Sequence, residues 1–117
     1  MEVVKQKILE KNYNVVIIYY MLNIKFDWDS AKADSNIKKH GVSFNEAKSV
    51  FFDGNAKVIH DPEHSSDEDR FIILGLSVGA RMLVVIHCYR KNDRVIRIIS
   101  ARKATQKESM QYHGGDL

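Results

Sequence analysis

Along this chain the spacing of apolar positions is strand-like, then helical, then strand-like again, and the final stretch is helical. Ile24, Phe26 and Trp28 alternate with Lys25 and Asp27, which predicts a first strand. Asp29 or Asp27 can then cap a helix whose modest apolar stripe is Ala31, Ala33 and Ile37. Gly41 stops that helix, with Lys38, Lys39 and His40 near the negative end of its dipole. Ser43 and Glu46 have the spacing of a capping box for a second helix, and Val42 and Ala47 are placed as its hydrophobic staple. Phe44, Ala47, Val50 and Phe51 share one face of it, and Asp53-Gly54-Asn55 ends it.

From there the pattern is that of strands. Residues 56–60 form a short one that enters an acidic loop over 61–69. Residues 70–77 and 81–89 are two longer strands joined by a turn at Val78-Gly79-Ala80, and Lys91-Asn92-Asp93 turns into a fourth over 94–103. Connections this short imply antiparallel neighbours, hence a four-stranded meander. Thr105 and Glu108 make another capping box, opening a helix through Met110 and Tyr112, and Gly114-Gly115 ends order. The predicted class is α+β: an antiparallel meander sheet of four strands plus an N-terminal strand, with two N-terminal helices and one C-terminal helix. The helices are expected to cover one face of the sheet, leaving the other face or an edge for function.

Length and composition fit that reading. The chain has 117 residues, one domain's worth, and 44% of them are hydrophobic, enough for one core without metal or disulfide staples. Cys88, the single cysteine, lies in an apolar run and is expected to be a small core residue. One cysteine suits a reducing cytoplasm. Residues 1–22 are the least domain-like part: Lys5, Lys7 and Lys11 precede an eight-residue apolar run over 15–22. That run is far below the ~20 residues of a membrane span. It also lacks a small-residue cleavage site, which argues against a signal peptide, and no membrane partner is expected. Residues 1–22 are read as an N-terminal extension, either an extra helix or edge strand or, the favoured reading, a segment before a start near Met21; a domain over 23–113 and a tail over 114–117 follow.

Charge adds a direction. The net charge of +3 conceals ten acids against five bases over 26–69, and eight bases against three acids over 81–117. A C-terminal third this basic favours a polyanionic partner, nucleic acid first; an acidic partner protein fits equally. The strand over 94–103 carries Arg94, Arg97, Arg102 and Lys103, and Arg70 and Arg90 lie on its neighbours. Alternation places Arg97 with Val95 and Ile99 on one face, and Ser100 with Arg102 on the other, unless a bulge rotates them. The reading without function is that these are edge and surface cations that discourage aggregation.

Other clusters carry less. His60, Asp61, Glu63 and His64 could bind zinc or manganese, but their spacing matches no zinc signature, and a solvated turn begun by Asp61-Pro62 is the plainer reading. His64 could instead transfer a proton near neutral pH. His87 and Tyr89 share a strand face with Leu83 and Val85, where core packing is the default and base stacking the sharper option. No phosphate-binding glycine loop, nucleophile elbow, metalloprotease helix or zinc-finger spacing occurs, which argues against nucleotide-dependent enzymes and the common hydrolases.

Several stretches in combination resemble the BrnT toxin family. They are Phe26-Asp-Trp-Asp-Ser-Ala-Lys32, Asn36-Ile-Lys-Lys-His-Gly-Val-Ser-Phe44 with Glu46-Ala47, Asp61-Pro62, His64-Ser65, Glu68, Arg70-Phe71 and Gly75, and Arg97-Ile-Ile-Ser-Ala-Arg-Lys-Ala104 with Glu108 and Tyr112. Tyr89 stands where the family often has an acidic residue before the arginine, here Arg90. The resemblance implies a RelE-like ribonuclease toxin of a type II toxin–antitoxin pair, cytoplasmic and without a cofactor or metal. It would cleave RNA, in one form at the ribosome, and inhibit translation and growth. Its implied partner is a BrnA-like ribbon-helix-helix antitoxin, with operator DNA contacted only through the complex. Arg97, Arg102 and Lys103 would meet phosphate and transition-state charge, with Arg70 and Arg90 also binding RNA. His64 would transfer the proton, Glu68 would orient it or act as the base, and Tyr112 would stack or donate. The rival is a non-catalytic module whose basic face docks nucleic acid or an acidic protein.

Overall fold

A computed structural model describes residues 23–65 and 67–114, so the proposed extension over 1–22 lies outside the described residues. The elements are β1 (Lys25–Asp27), α1 (Ser30–His40), α2 (Phe44–Ser49), a 3₁₀ turn (Val50–Phe52), β2 (Lys57–Asp61), a 3₁₀ turn (Pro62–His64), β3 (Arg70–Leu76), β4 (Met82–Arg90), β5 (Val95–Lys103) and α3 (Gln106–Tyr112). The class is α+β, as the hydrophobic pattern predicts.

The sheet is mixed, with order β1-β5-β4-β3-β2. β2 to β5 pair antiparallel in chain order, whereas β1 lies parallel to β5, with Asp27 opposite Arg97. A parallel partner is possible because α1, α2 and three strands intervene, far more than the dozen residues such a crossover needs. The helices divide between the two faces. α1 and α2 cover the face bearing Phe26, Ile73, Leu83, Val85, Ile96, Ile98 and Ala101, and Val42, Phe44, Ala47 and Val50 complete that core. α3 crosses the opposite face.

The helix ends follow their local signals. Asp29 accepts from the Lys32 N–H at 3.0 Å, and Gly41 takes the left-handed conformation, φ 67°, that a glycine adopts without strain. Both halves of the capping box at Thr105 and Glu108 form. The box at Ser43 is only half made. Ser43 accepts from the Glu46 N–H, but the Glu46 carboxylate turns away to Arg81 and Ser77. Two charge-assisted bonds from a guanidinium outcompete one backbone N–H. Through Arg81, which also donates to the Gly41 carbonyl, this pair ties both helices to the β3–β4 hairpin.

Asn36 locks α1 to β5. Its amide donates to the carbonyls of Val42 and Ala101 at 2.9 and 2.8 Å and accepts from the Ala101 N–H at 3.1 Å. No described helix is long and apolar enough to cross a membrane.

Candidate functional site

The alternation of β5 breaks where it matters for its cations. His87 of β4 pairs with Ile98 and Ile86 pairs with Ser100, so Ile99 is the extra residue of a β-bulge. Beyond the bulge the faces exchange. Arg97, Ser100 and Arg102 lie opposite Cys88, Ile86 and Val84, which share one face of β4. The divergence that simple alternation predicts for Arg97 and Arg102 is therefore corrected: both project from the face that α1 and α2 leave uncovered. Lys103 pairs with Leu83 and so belongs to the helix-covered side, where its charge reaches Glu46.

Three guanidinium groups on the face opposite α1 and α2 meet a carboxylate, held with different firmness. Arg102 meets Glu108 through two bonds of 2.8 Å, one to each oxygen. Glu108 also accepts from the Thr105 N–H, and these donors, Arg102 first, hold its carboxyl down at about 2. Arg102 is thus the anchor of α3. Lys57, which donates to the Gln111 carbonyl, and Tyr112, whose hydroxyl donates to Asp53 at 2.8 Å, pin the far end of the same helix. Burial raises the Asp53 carboxyl, but N–H bonds from Leu76 and Asn55 and the Tyr112 hydroxyl outweigh it and leave it lowered. The Tyr112 hydroxyl thus lies at the opposite end of β3 from Arg70.

The other end of this face is looser. Arg97 donates one bond of 2.6 Å to Asp27, and the side chains are 26% and 50% exposed. One row further on, Arg90 meets Glu68 at 3.3 and 3.4 Å, and burial pushes the neighbouring Cys88 thiol up. Arg70 starts β3 opposite Asp61, its backbone N–H bound by the Ser65 hydroxyl at 3.0 Å. Arg97, Arg90 and Arg70 thus surround the Cys88 end of the face, about 13 Å along the strands from Arg102 at ~3.3 Å per residue. His64 closes the 3₁₀ turn Pro62–His64 in the loop that carries Glu68. Among the described residues, no three His, Cys, Asp or Glu side chains group to hold a metal ion.

The neutral imidazole of His87 belongs to the core. It is fully buried, bonded to the Tyr89 hydroxyl at 3.2 Å, edge-on to Phe51, and burial pulls its pKa down to about 4. His60 lies elsewhere, at the β2 edge beside Asp69 and Ser65.

With these residues placed, the chain can be set against known proteins. The family model described as "Ribonuclease toxin, BrnT, of type II toxin-antitoxin system" matches residues 28–108. The chain belongs to the BrnT family. Among solved structures it is similar to the ribonuclease toxin BrnT of Brucella abortus, at 28% identity and a TM-score of 0.55, over 71% of this chain and 99% of that one. No curated protein matches. The BrnT match contains His64, Glu68, Arg70, Arg90, Arg97, Arg102 and Lys103; Asp27 lies just before it and Tyr112 after it.

Asp27 is the member of this site that the residue pattern missed. Its alternation with Phe26 does put it on the polar face, but nothing local in the sequence says that β1 will pair with β5.

Proposed function

We propose that this chain is a RelE-like endoribonuclease toxin that holds RNA across the Arg97 end of the sheet face opposite α1 and α2. The observation that carries the reading is the bulge at Ile99, which collects Arg97 and Ser100 on the face that also bears Arg90 and Arg70. Four polar or cationic groups on one partly apolar sheet face suit a phosphate backbone.

The reaction we assign is metal-independent transesterification. The ribose 2′-hydroxyl attacks the adjacent phosphorus as a base removes its proton. The 5′-oxygen leaves with a proton from an acid, giving a 2′,3′-cyclic phosphate and a 5′-hydroxyl end. Arg97 faces the charge that grows on the phosphorane, with Arg90 and Arg70 binding flanking phosphates. His64 is our candidate for proton transfer, and Glu68 for orienting it or serving as base. Arg102 acts indirectly by holding α3, while Lys103 lies on the helix-covered side and Tyr112 is bonded to Asp53 at the other end of β3.

In the cell this reading makes the protein a cytoplasmic inhibitor of translation, neutralised by a BrnA-like ribbon-helix-helix antitoxin with which it represses its own operon. The test is cleavage of RNA by purified protein in chelator. Arg97→Ala should lower the rate by about a hundredfold, the usual loss when one transition-state charge partner is removed. Cleavage that stops in chelator rejects metal independence, and undiminished cleavage by the variant rejects the role of Arg97. Induced expression should arrest growth, with rescue by the neighbouring gene; a protein that does neither is a binding module.

A further inference from the structure

We propose that Asp27 is the residue that sets how strongly the site takes RNA and holds Arg97 in working position, an inference that rests on the ribonuclease reading above. β1 is three residues long, and only Phe26 among them packs into the core, against Phe51 and Phe52 at 5.4 and 5.9 Å. Parallel pairing with β5 brings Lys25, Phe26 and Asp27 opposite Val95, Ile96 and Arg97. With Phe26 turned into the core, Asp27 must face the other side of the sheet, beside the guanidinium of Arg97.

The bond itself has two consequences. Asp27 Oδ2 engages a single Arg97 nitrogen, Nη1, at 2.6 Å. A guanidinium has five N–H donors, so a phosphate can bind the rest while Asp27 keeps the group in place. The same carboxylate also puts a negative charge a few ångströms from any phosphate bound there. Asp27 therefore opposes RNA binding through its charge and favours the reaction through its oxygen. Arg102 offers a contrast, since Glu108 occupies it with both oxygens and is itself held by a helix cap.

Two substitutions separate the effects. Asp27→Asn removes the charge but keeps a carbonyl oxygen that can accept from Nη1. Asp27→Ala removes both. With a labelled single-stranded RNA made uncleavable by 2′-O-methylation, both variants should bind roughly three- to tenfold more tightly, the effect of removing one like charge ~6 Å away in a largely aqueous setting. With cleavable RNA at saturation, Asp27→Ala should lose at least about tenfold through misplacement of Arg97, and Asp27→Asn, which keeps an accepting oxygen, should recover most of that loss. Asp34→Asn, which removes an exposed acid from α1, is the control for bulk charge.

Unchanged or weaker binding by Asp27→Asn overturns the charge role, as does equal tightening by Asp34→Asn. Wild-type turnover by Asp27→Ala overturns the positioning role. If Asp27→Ala does not fold, Asp27→Asn still decides the charge role, and Asp27→Leu, read at saturation, replaces it for positioning. A wild-type protein that neither binds nor cleaves RNA overturns the ribonuclease reading itself, and is distinguishable from all of these.

Discussion

The two faces of the sheet handle polar groups in opposite ways. Beneath α1 and α2, Asn36 and His87 are enclosed and bonded, and Glu46 closes on Arg81 at the rim. Among the described residues, no buried side-chain nitrogen or oxygen there or elsewhere lacks a partner. On the face opposite α1 and α2 the charged pairs grade from closed to open: Arg102–Glu108 is bidentate, Arg97–Asp27 rests on one bond, and Arg90–Glu68 is long. Polar groups on the first face hold the fold together. Those at the loose end of the second keep donors free for a ligand. Damage to the two faces should therefore register in different measurements.

The largest effect belongs to Asn36. Asn36→Leu keeps a side chain of similar size but strands the Ala101 N–H and two carbonyls in the core. Each unsatisfied buried group costs about 1–3 kcal/mol, so a loss of about 4 kcal/mol in chemical denaturation is expected, allowing for partial relaxation. If Asn36→Leu proves as stable as wild type, the enclosed polar groups are not what joins α1 to the sheet.

His87 comes next, through pH. Burial lowers its folded pKa to about 4 against an ordinary value of 6.5, so between those limits the unfolded chain binds the extra proton. Stability contributed by the neutral ring is full above pH 6.5, falls as pH falls, and is gone below about 4. The span corresponds to ~3 kcal/mol. Urea denaturation across this window should show the slope in the wild type and not in His87→Phe.

What the sequence makes legible in these comparisons is whatever depends on near neighbours. The stops and starts at Asp29, Gly41, Ser43 and Thr105 are decided within one helical turn, and the structure has them where the residues predict. The short turns likewise specify the antiparallel order of β2 to β5. Long-range competition defeats the same reasoning. Glu46 has the right spacing for a capping box, yet Arg81, 35 residues away, takes its carboxylate. Ile99 looks like any apolar position of an alternating strand, and only the register with β4 makes it a bulge. That single residue decides which face Arg102 occupies, and Asp27 joins the site through a strand pairing that no local pattern announces.

The third contrast lies within the uncovered face. Arg102→Ala removes a bidentate, charge-assisted pair and should cost about 1–2 kcal/mol, loosening α3 so that trypsin cuts at Lys107 sooner. Arg97→Ala removes one exposed bond and should change stability by less than ~1 kcal/mol while abolishing most cleavage. Similar destabilisation by both variants, with similar loss of activity, means that the two arginines do the same job after all.

The smallest effect sharpens the assignment of Arg102. The Glu108 carboxyl is held at about 2 by Arg102 and by the Thr105 N–H, against an ordinary value of 4.5. Its folded pKa is depressed, so its contribution is complete above pH 4.5 and is lost as pH falls towards 2. Glu108 is 27% exposed and Arg102 41%, and solvent screening reduces the contribution to the order of 1 kcal/mol. Most of this window lies below that of His87, so the two can be separated in one titration of stability. Acid should free α3 mainly below pH 4, where the His87 slope has ended, and Glu108→Gln should remove the lower step while leaving the upper one. A lower step that survives in Glu108→Gln places the acid-sensitive clamp elsewhere, with Asp53 beneath Tyr112 the next group to replace.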